Sequence, residues 1–90
     1  MDTAIVAFRD MNRDIQAELE IPLWITANDL IYALNIAYDL QIDPSDSKEY
    51  YLGSENPIAF LRGNRELGEY GIRNGTLIFY KRRPAATGEE

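Results

Sequence analysis

Hydrophobic and polar positions alternate most clearly near the start of the chain. Ile15, Ala17, Leu19 and Ile21 alternate with Gln16, Glu18 and Glu20, the pattern of a half-buried strand with one wet face. Ahead of it, Thr3 to Arg9 places Ala4, Val6 and Phe8 on one face and Ile5 and Ala7 on the other. Both faces are apolar, which suits an interior strand. The polar stretch Asp10–Asp14 joins the two as a hairpin, and Pro22, lacking an N–H, ends the pairing.

The period then changes. Thr26 offers a helix N-cap, with Asp29 three residues on as a weaker form of the capping box. A helix is predicted from Ala27 to about Gln41. Leu30, Ala33, Leu34, Ala37 and Tyr38 line one face, and Ile31, Ile36 and Leu40 widen it. That breadth predicts a helix lying deep in the concave side of a sheet. A loop over 42–47 follows, then a short β segment at Tyr50–Leu52, a turn at Gly53–Pro57, a short strand at Ile58–Leu61 and a turn at Gly63-Asn64. Leu67, Tyr70 and Ile72 space out along an irregular stretch. Asn74-Gly75 is a strong turn signal before a last strand, Thr76–Lys81. Residues 82–90 read as a disordered tail, which leaves one domain over 1–81.

The order ββαβ(β)–turn–β, with Leu67-x-x-Tyr70-x-Ile72 before the last strand, resembles the ubiquitin superfamily. The resemblance implies an α+β protein with a β-grasp fold, a mixed four- to five-stranded sheet packed on one α-helix. It further implies that Leu67 and Ile72 plug the open end of the sheet and that the Tyr70 hydroxyl caps a backbone group. Within the superfamily, Leu67-Gly68-Glu69-Tyr70-Gly71-Ile72-Arg73-Asn74-Gly75-Thr76-Leu77 is similar to the YukD/EsaB group. These are small ubiquitin-like proteins encoded with bacterial type VII (WXG100-type) secretion systems. The likeness spans about residues 3 to 81. It implies a cytoplasmic, non-enzymatic accessory or regulatory protein, whose protein partners include membrane or ATPase components of the secretion machine.

Composition narrows the chemistry. The 90 residues include no cysteine and no histidine. This excludes a disulfide framework, the usual structural zinc ligand sets, and serine–histidine or cysteine–histidine catalysis. Nine basic against 15 acidic residues leave a net charge of −6, so bulk nucleic-acid binding is not expected. No run approaches the roughly 20 apolar residues of a membrane helix, and the first residues do not read as a signal peptide. No cofactor is implied. The C-terminal stretch, Lys81-Arg82-Arg83-Pro84-Ala85-Ala86-Thr87-Gly88-Glu89-Glu90, has no diglycine. Ubiquitin-like conjugation and sulfur transfer need one to thread the activating enzyme's channel, so neither is expected unless processing exposes another terminus. An interaction module of an unrelated complex is the other reading that the residues allow.

Candidate sites follow. Lys81, Arg82 and Arg83 are the one basic run, read as a solvated strand end or a contact for acidic partners or anionic lipid. Glu18 and Glu20 share a strand face but have no further ligand in sight for Mg²⁺, and the spacing of Asp43, Asp46 and Glu49 does not fit a calcium loop. Trp24, the single tryptophan, is either packed on the helix start or an exposed anchor. Counting alternation from Leu77 predicts Phe79 inward and Ile78 and Tyr80 outward. An outward patch of Tyr51, Ile58, Phe60 and Tyr80, beside the wet face of the second strand, is the leading protein-interaction site, with Ile78 and Trp24 as further candidates. Scattered surface aromatics, or a weak homodimer contact, would look the same in sequence.

Overall fold

A computed structural model describes residues 2–43 and 50–82. Its elements are β1 (Thr3–Asp10), β2 (Ile15–Pro22), α1 (Ala27–Tyr38), β3 (Tyr50–Glu55), β4 (Ala59–Phe60), a single 3₁₀ turn (Leu67–Tyr70) and β5 (Leu77–Arg82). The strands form one five-stranded sheet in the order β2-β1-β5-β3-β4. β1 pairs antiparallel with β2 and parallel with β5, and β3 pairs antiparallel with both β5 and β4. One helix packs on one face of this mixed sheet, so the expected β-grasp fold is observed. No helix among the described residues is long and apolar enough to cross a membrane.

Each strand's inner face follows from its register. Ala4, Val6, Phe8 and Asp10 of β1 are buried, as are Tyr50, Leu52 and Ser54 of β3 and Ile78 and Tyr80 of β5. Against them lie Ala27, Leu30, Ile31 and Leu34 of α1, and Phe8 meets Tyr38 with ring centroids 5.0 Å apart. Leu67 and Ile72 complete this core. At full burial each large apolar side chain here contributes about 1.5–3 kcal/mol.

The helix begins as predicted. Asp29 N–H donates to Thr26 Oγ1 and Thr26 N–H to the Asp29 carboxylate, each at 3.1 Å, a full capping box. It stops earlier than predicted, at Tyr38, because Asp39 takes a left-handed conformation (φ 52°). Asn35 then brackets the exit: its amide donates to the Ile42 carbonyl at 3.1 Å and accepts from Ile42 N–H at 3.4 Å. Only one stripe of the helix is buried. Ala33 and Ala37, predicted inward, are exposed, and Ile36 is 82% exposed, so the helix is less deeply seated than its composition implied.

Two further expectations are corrected. β3 continues through Gly53 and Ser54 to Glu55, where a turn was expected, because both residues pair with β5 and β4. β5 reaches Arg82, which therefore belongs to the sheet rather than to a tail. The loop carboxylates Asp46 and Glu49 and the rest of the expected tail, residues 83–90, lie outside the described residues.

Candidate protein-interaction face

The strand registers bring one group of aromatic side chains together on the solvent side of the sheet. Gly53 pairs with Phe60 on one flank and Phe79 on the other. Tyr51, two residues along β3, points the same way. The Tyr51 ring lies 4.7 Å from that of Phe60 and 5.8 Å from that of Phe79, centroid to centroid. Gly53 makes room for them. A Cβ built there would lie 2.6 Å from Phe79 Cζ and 3.0 Å from Tyr51 Cε1. A glycine inside a strand thus becomes a floor over which the flanking rings close.

Tyr51 and Phe60 are each 38% exposed, and Ile58, on the turn between β3 and β4, is 89% exposed. Three basic side chains stand around the rings, with one carboxylate, the exposed Glu55, two residues past Gly53 on the same face of β3. The Arg62 guanidinium sits 4.2 Å over the Phe60 ring, within cation–π range. By register Arg9 adjoins Phe79 and Lys81 adjoins Tyr51, and both are exposed. The Arg9 guanidinium also approaches Asp14 at 3.4 Å, a surface pair worth at most about 1 kcal/mol.

Of the predicted site residues, Tyr51 and Phe60 come together here, and Ile58 is exposed just before β4. Ile78 and Tyr80 do not join them. They are 1% and 2% exposed, facing the helix, and the outward assignment is wrong. Every position from Thr76 to Tyr80 is at least partly apolar, so alternation was present but its phase was not. The phase is set by β1, whose inward Phe8 and Asp10 pair with Ile78 and Tyr80. Tyr51 and Phe60 are also not beside the wet face of β2, since β1 and β5 lie between β2 and β3 in the sheet. Phe79, Gly53 and Arg62 are members that sequence reasoning missed. The legible signal was the glycine itself, flanked in β3 by Tyr51.

Trp24 stands apart. It is 52% exposed, while its neighbours Leu23 and Ile25 pack on the core. It lines a separate cleft with Asp2, Leu23, Glu66, Gly68, Glu69 and Ile72. Among the described residues no group of three or more acidic side chains is placed to hold a metal ion. Glu18 is exposed, and Glu20 accepts a hydrogen bond from the Thr3 hydroxyl at 2.8 Å.

Polar side chains also tie the loops to the core. The Tyr70 hydroxyl donates to the Arg62 carbonyl at 2.7 Å and accepts from Arg62 N–H at 3.3 Å, fixing the backbone that carries the Arg62 guanidinium. Asp10, a carboxylate with no exposed surface, accepts from Asn12 N–H at 2.9 Å, Arg13 N–H at 3.3 Å and Arg13 Nε at 2.8 Å. Arg13 in turn donates to the Tyr38 carbonyl, tying the hairpin to the end of the helix. Tyr50 lies beneath the sheet, where burial pushes its phenol above the ordinary value of 10.0, partly offset by the positive charge of Arg62.

No protein-family model matches the chain, and no curated protein matches it by sequence. Solved structures do match in shape. The C-terminal ubiquitin-like domain of mouse tubulin-specific chaperone e is 17% identical, with 97% of this chain and 93% of that one aligned, at a TM-score of 0.76. Tubulin-binding cofactor B of Trypanosoma brucei is 13% identical over 93% of this chain and 100% of that one, at 0.75. A ubiquitin-like domain of an Arabidopsis thaliana protein is 18% identical over 100% and 87%, at 0.73. The fold is therefore the ubiquitin-like β-grasp. At these identities the likeness is one of architecture.

Proposed function

We propose that the protein is a non-enzymatic ubiquitin-like interaction module that recruits a protein partner through the outer face of β3, β4 and β5. The observation that carries this is the trio Tyr51, Phe60 and Phe79, assembled over Gly53 and left accessible with a basic rim of Arg9, Arg62 and Lys81. Partly exposed rings held in fixed positions are the usual anchors of a binding hot spot, because little side-chain entropy remains to be lost on contact. The rim selects a partner surface that is apolar at its centre and acidic around it. Action by contact is supported by a sequence without histidine or cysteine.

The finer reading is an accessory or regulatory role in a type VII secretion system, in the cytoplasm, with membrane or ATPase components as partners. It rests on the likeness of residues 67–77 to the YukD/EsaB group. The alternative is an interaction module of another complex. The names of the structurally similar tubulin-specific chaperone e and tubulin-binding cofactor B favour it, as proteins that engage another protein.

The test is an affinity capture from the source cells with the tagged protein and with a Tyr51→Ser/Phe60→Ser variant, followed by identification of the captured proteins. Capture of secretion ATPase, channel or WXG100-type cargo by the parent and not by the variant supports the secretion role. Capture of an unrelated complex, again lost in the variant, keeps the interaction face and discards that role. Equal capture by both proteins refutes the proposed face. Covalent adducts on many proteins would refute the non-conjugating reading.

A further inference from the structure

We propose that the cleft beside Trp24 is a second docking site, for a basic peptide segment carrying aliphatic side chains. It shares no residue with the aromatic face and has the opposite charge, so it goes beyond the function proposed above.

The cleft is built on a rigid segment. Leu23 N–H donates to the Asp2 carbonyl at 3.0 Å, and the Leu23 carbonyl accepts from Gly68 N–H at 2.9 Å. The Ile25 carbonyl accepts from Leu67 N–H at 2.9 Å, and Ala27 N–H donates to the Arg65 carbonyl at 3.0 Å. The chain around Trp24 is therefore pinned on one side by the start of β1 and on the other by the 3₁₀ turn. Leu23 and Ile25 pack on the core, and Trp24 between them is exposed. Gly68 lies against Leu23, where a Cβ would stand 3.4 Å from the Leu23 carbonyl oxygen, about ordinary contact distance.

The resulting cleft of about 540 Å³ has Leu23, Trp24, Gly68 and Ile72 as apolar lining and Asp2, Glu66 and Glu69 as its acidic members. Its volume falls in the range of sites that accept a few side chains. Among the described residues neither Asp2 nor Glu66 has an ion-pair partner. Glu69 has one, Arg65 at 3.3 Å, with both side chains exposed and the pair correspondingly weak. A cationic side chain entering the cleft meets two carboxylates that have no ion-pair partner among the described residues, a third that is weakly held, and the indole of Trp24, the ring type that best attracts a cation. An aliphatic neighbour on the same peptide covers Leu23 and the indole edge. An acidic or polar segment would gain neither contact.

Trp24 is the only tryptophan, so its emission reports on the site directly. The probe is the acetylated, amidated peptide Lys-Leu-Lys-Leu-Lys, titrated against Gln-Leu-Gln-Leu-Gln and Lys-Gly-Lys-Gly-Lys. The expected result is a saturable change in emission with the first peptide and binding at least tenfold weaker with the other two. Glu66→Gln and Asp2→Asn should each weaken it about two- to fivefold, and 0.5 M salt should do likewise. Trp24→Ala, with its fold checked by circular dichroism, should lose the amide chemical-shift changes at Leu23, Glu66 and Gly68 that the peptide causes in the parent. Tyr51→Ser/Phe60→Ser should bind the peptide unchanged. Absence of saturable binding at millimolar peptide, equal binding of the glutamine peptide, or dependence on Tyr51 and Phe60 in place of Trp24 would each overturn the proposal.

Discussion

Replacing Phe79 and Tyr80 by alanine, one at a time, decides which side of β5 belongs to the core. The two are neighbours in sequence and face opposite sides of the sheet. Tyr80 is 2% exposed and sits among Phe8, Leu52 and Ile78, so its loss leaves a cavity the size of a phenol ring. Truncations of that size cost about 3–5 kcal/mol. For a domain this small the total is roughly 4–12 kcal/mol, so Tyr80→Ala removes a large share of it. Phe79 is half-buried on the outer face, where truncation forfeits its contact with Tyr51 and its cover over Gly53, about 1–2 kcal/mol. At about 4–8 °C per kcal/mol, Tyr80→Ala should lower Tm by about 12–40 °C and Phe79→Ala by about 4–16 °C, with the Tyr80 loss the larger of the two. Thermal unfolding followed by circular dichroism gives the Tm shifts, and guanidinium denaturation of the same proteins gives the free energies. Equal losses, or a larger loss from Phe79→Ala, would refute the register and with it the aromatic face.

Asp10→Ala should cost about 2–4 kcal/mol in urea denaturation, since it strands Arg13 and two backbone N–H groups, whereas Asp10→Asn keeps an acceptor and should cost less. Tyr70→Phe removes both hydrogen bonds to the Arg62 backbone and should cost about 1–2 kcal/mol, with amide exchange quickened at Arg62. The Tyr50 phenol has a folded pKa above its unfolded value, so the folded state holds the proton more tightly. Its contribution is complete below pH 10 and is lost as pH rises from there through the folded value. Stability should therefore fall above pH 10, and Tyr50→Phe should flatten that fall in denaturation series at pH 8 to 11.

Much of the architecture was legible because it depends on local pattern. The alternation in β2, the Thr26–Asp29 capping box and the Leu67, Tyr70, Ile72 crossover each state their structural role in residues a few positions apart, and each is found as read. The absence of histidine and cysteine excluded whole classes of chemistry before any fold was known. What failed was phase. β5 is apolar on both faces because it lies between β1 and β3, and an alternating pattern with no wet side has no sign of its own. Helix exposure failed for a related reason: Ile36, Ala33 and Ala37 extend the apolar stripe but are exposed, and periodicity alone does not say how much of such a stripe is covered.

The amino-acid sequence by itself determined the set of elements, their order and the residues that cap and plug them, because those depend on short-range hydrogen bonding and periodicity. Only the tertiary structure decided which side chains share a surface. The parallel pairing of β1 with β5 turned Ile78 and Tyr80 inward, the pairing of Gly53 with Phe79 and Phe60 gathered three rings over one missing Cβ, and the segment bonded through Leu23 to Asp2 and Gly68 left Trp24 exposed. Those contacts join residues far apart in the chain, and their register is fixed by hydrogen bonds that no local pattern encodes.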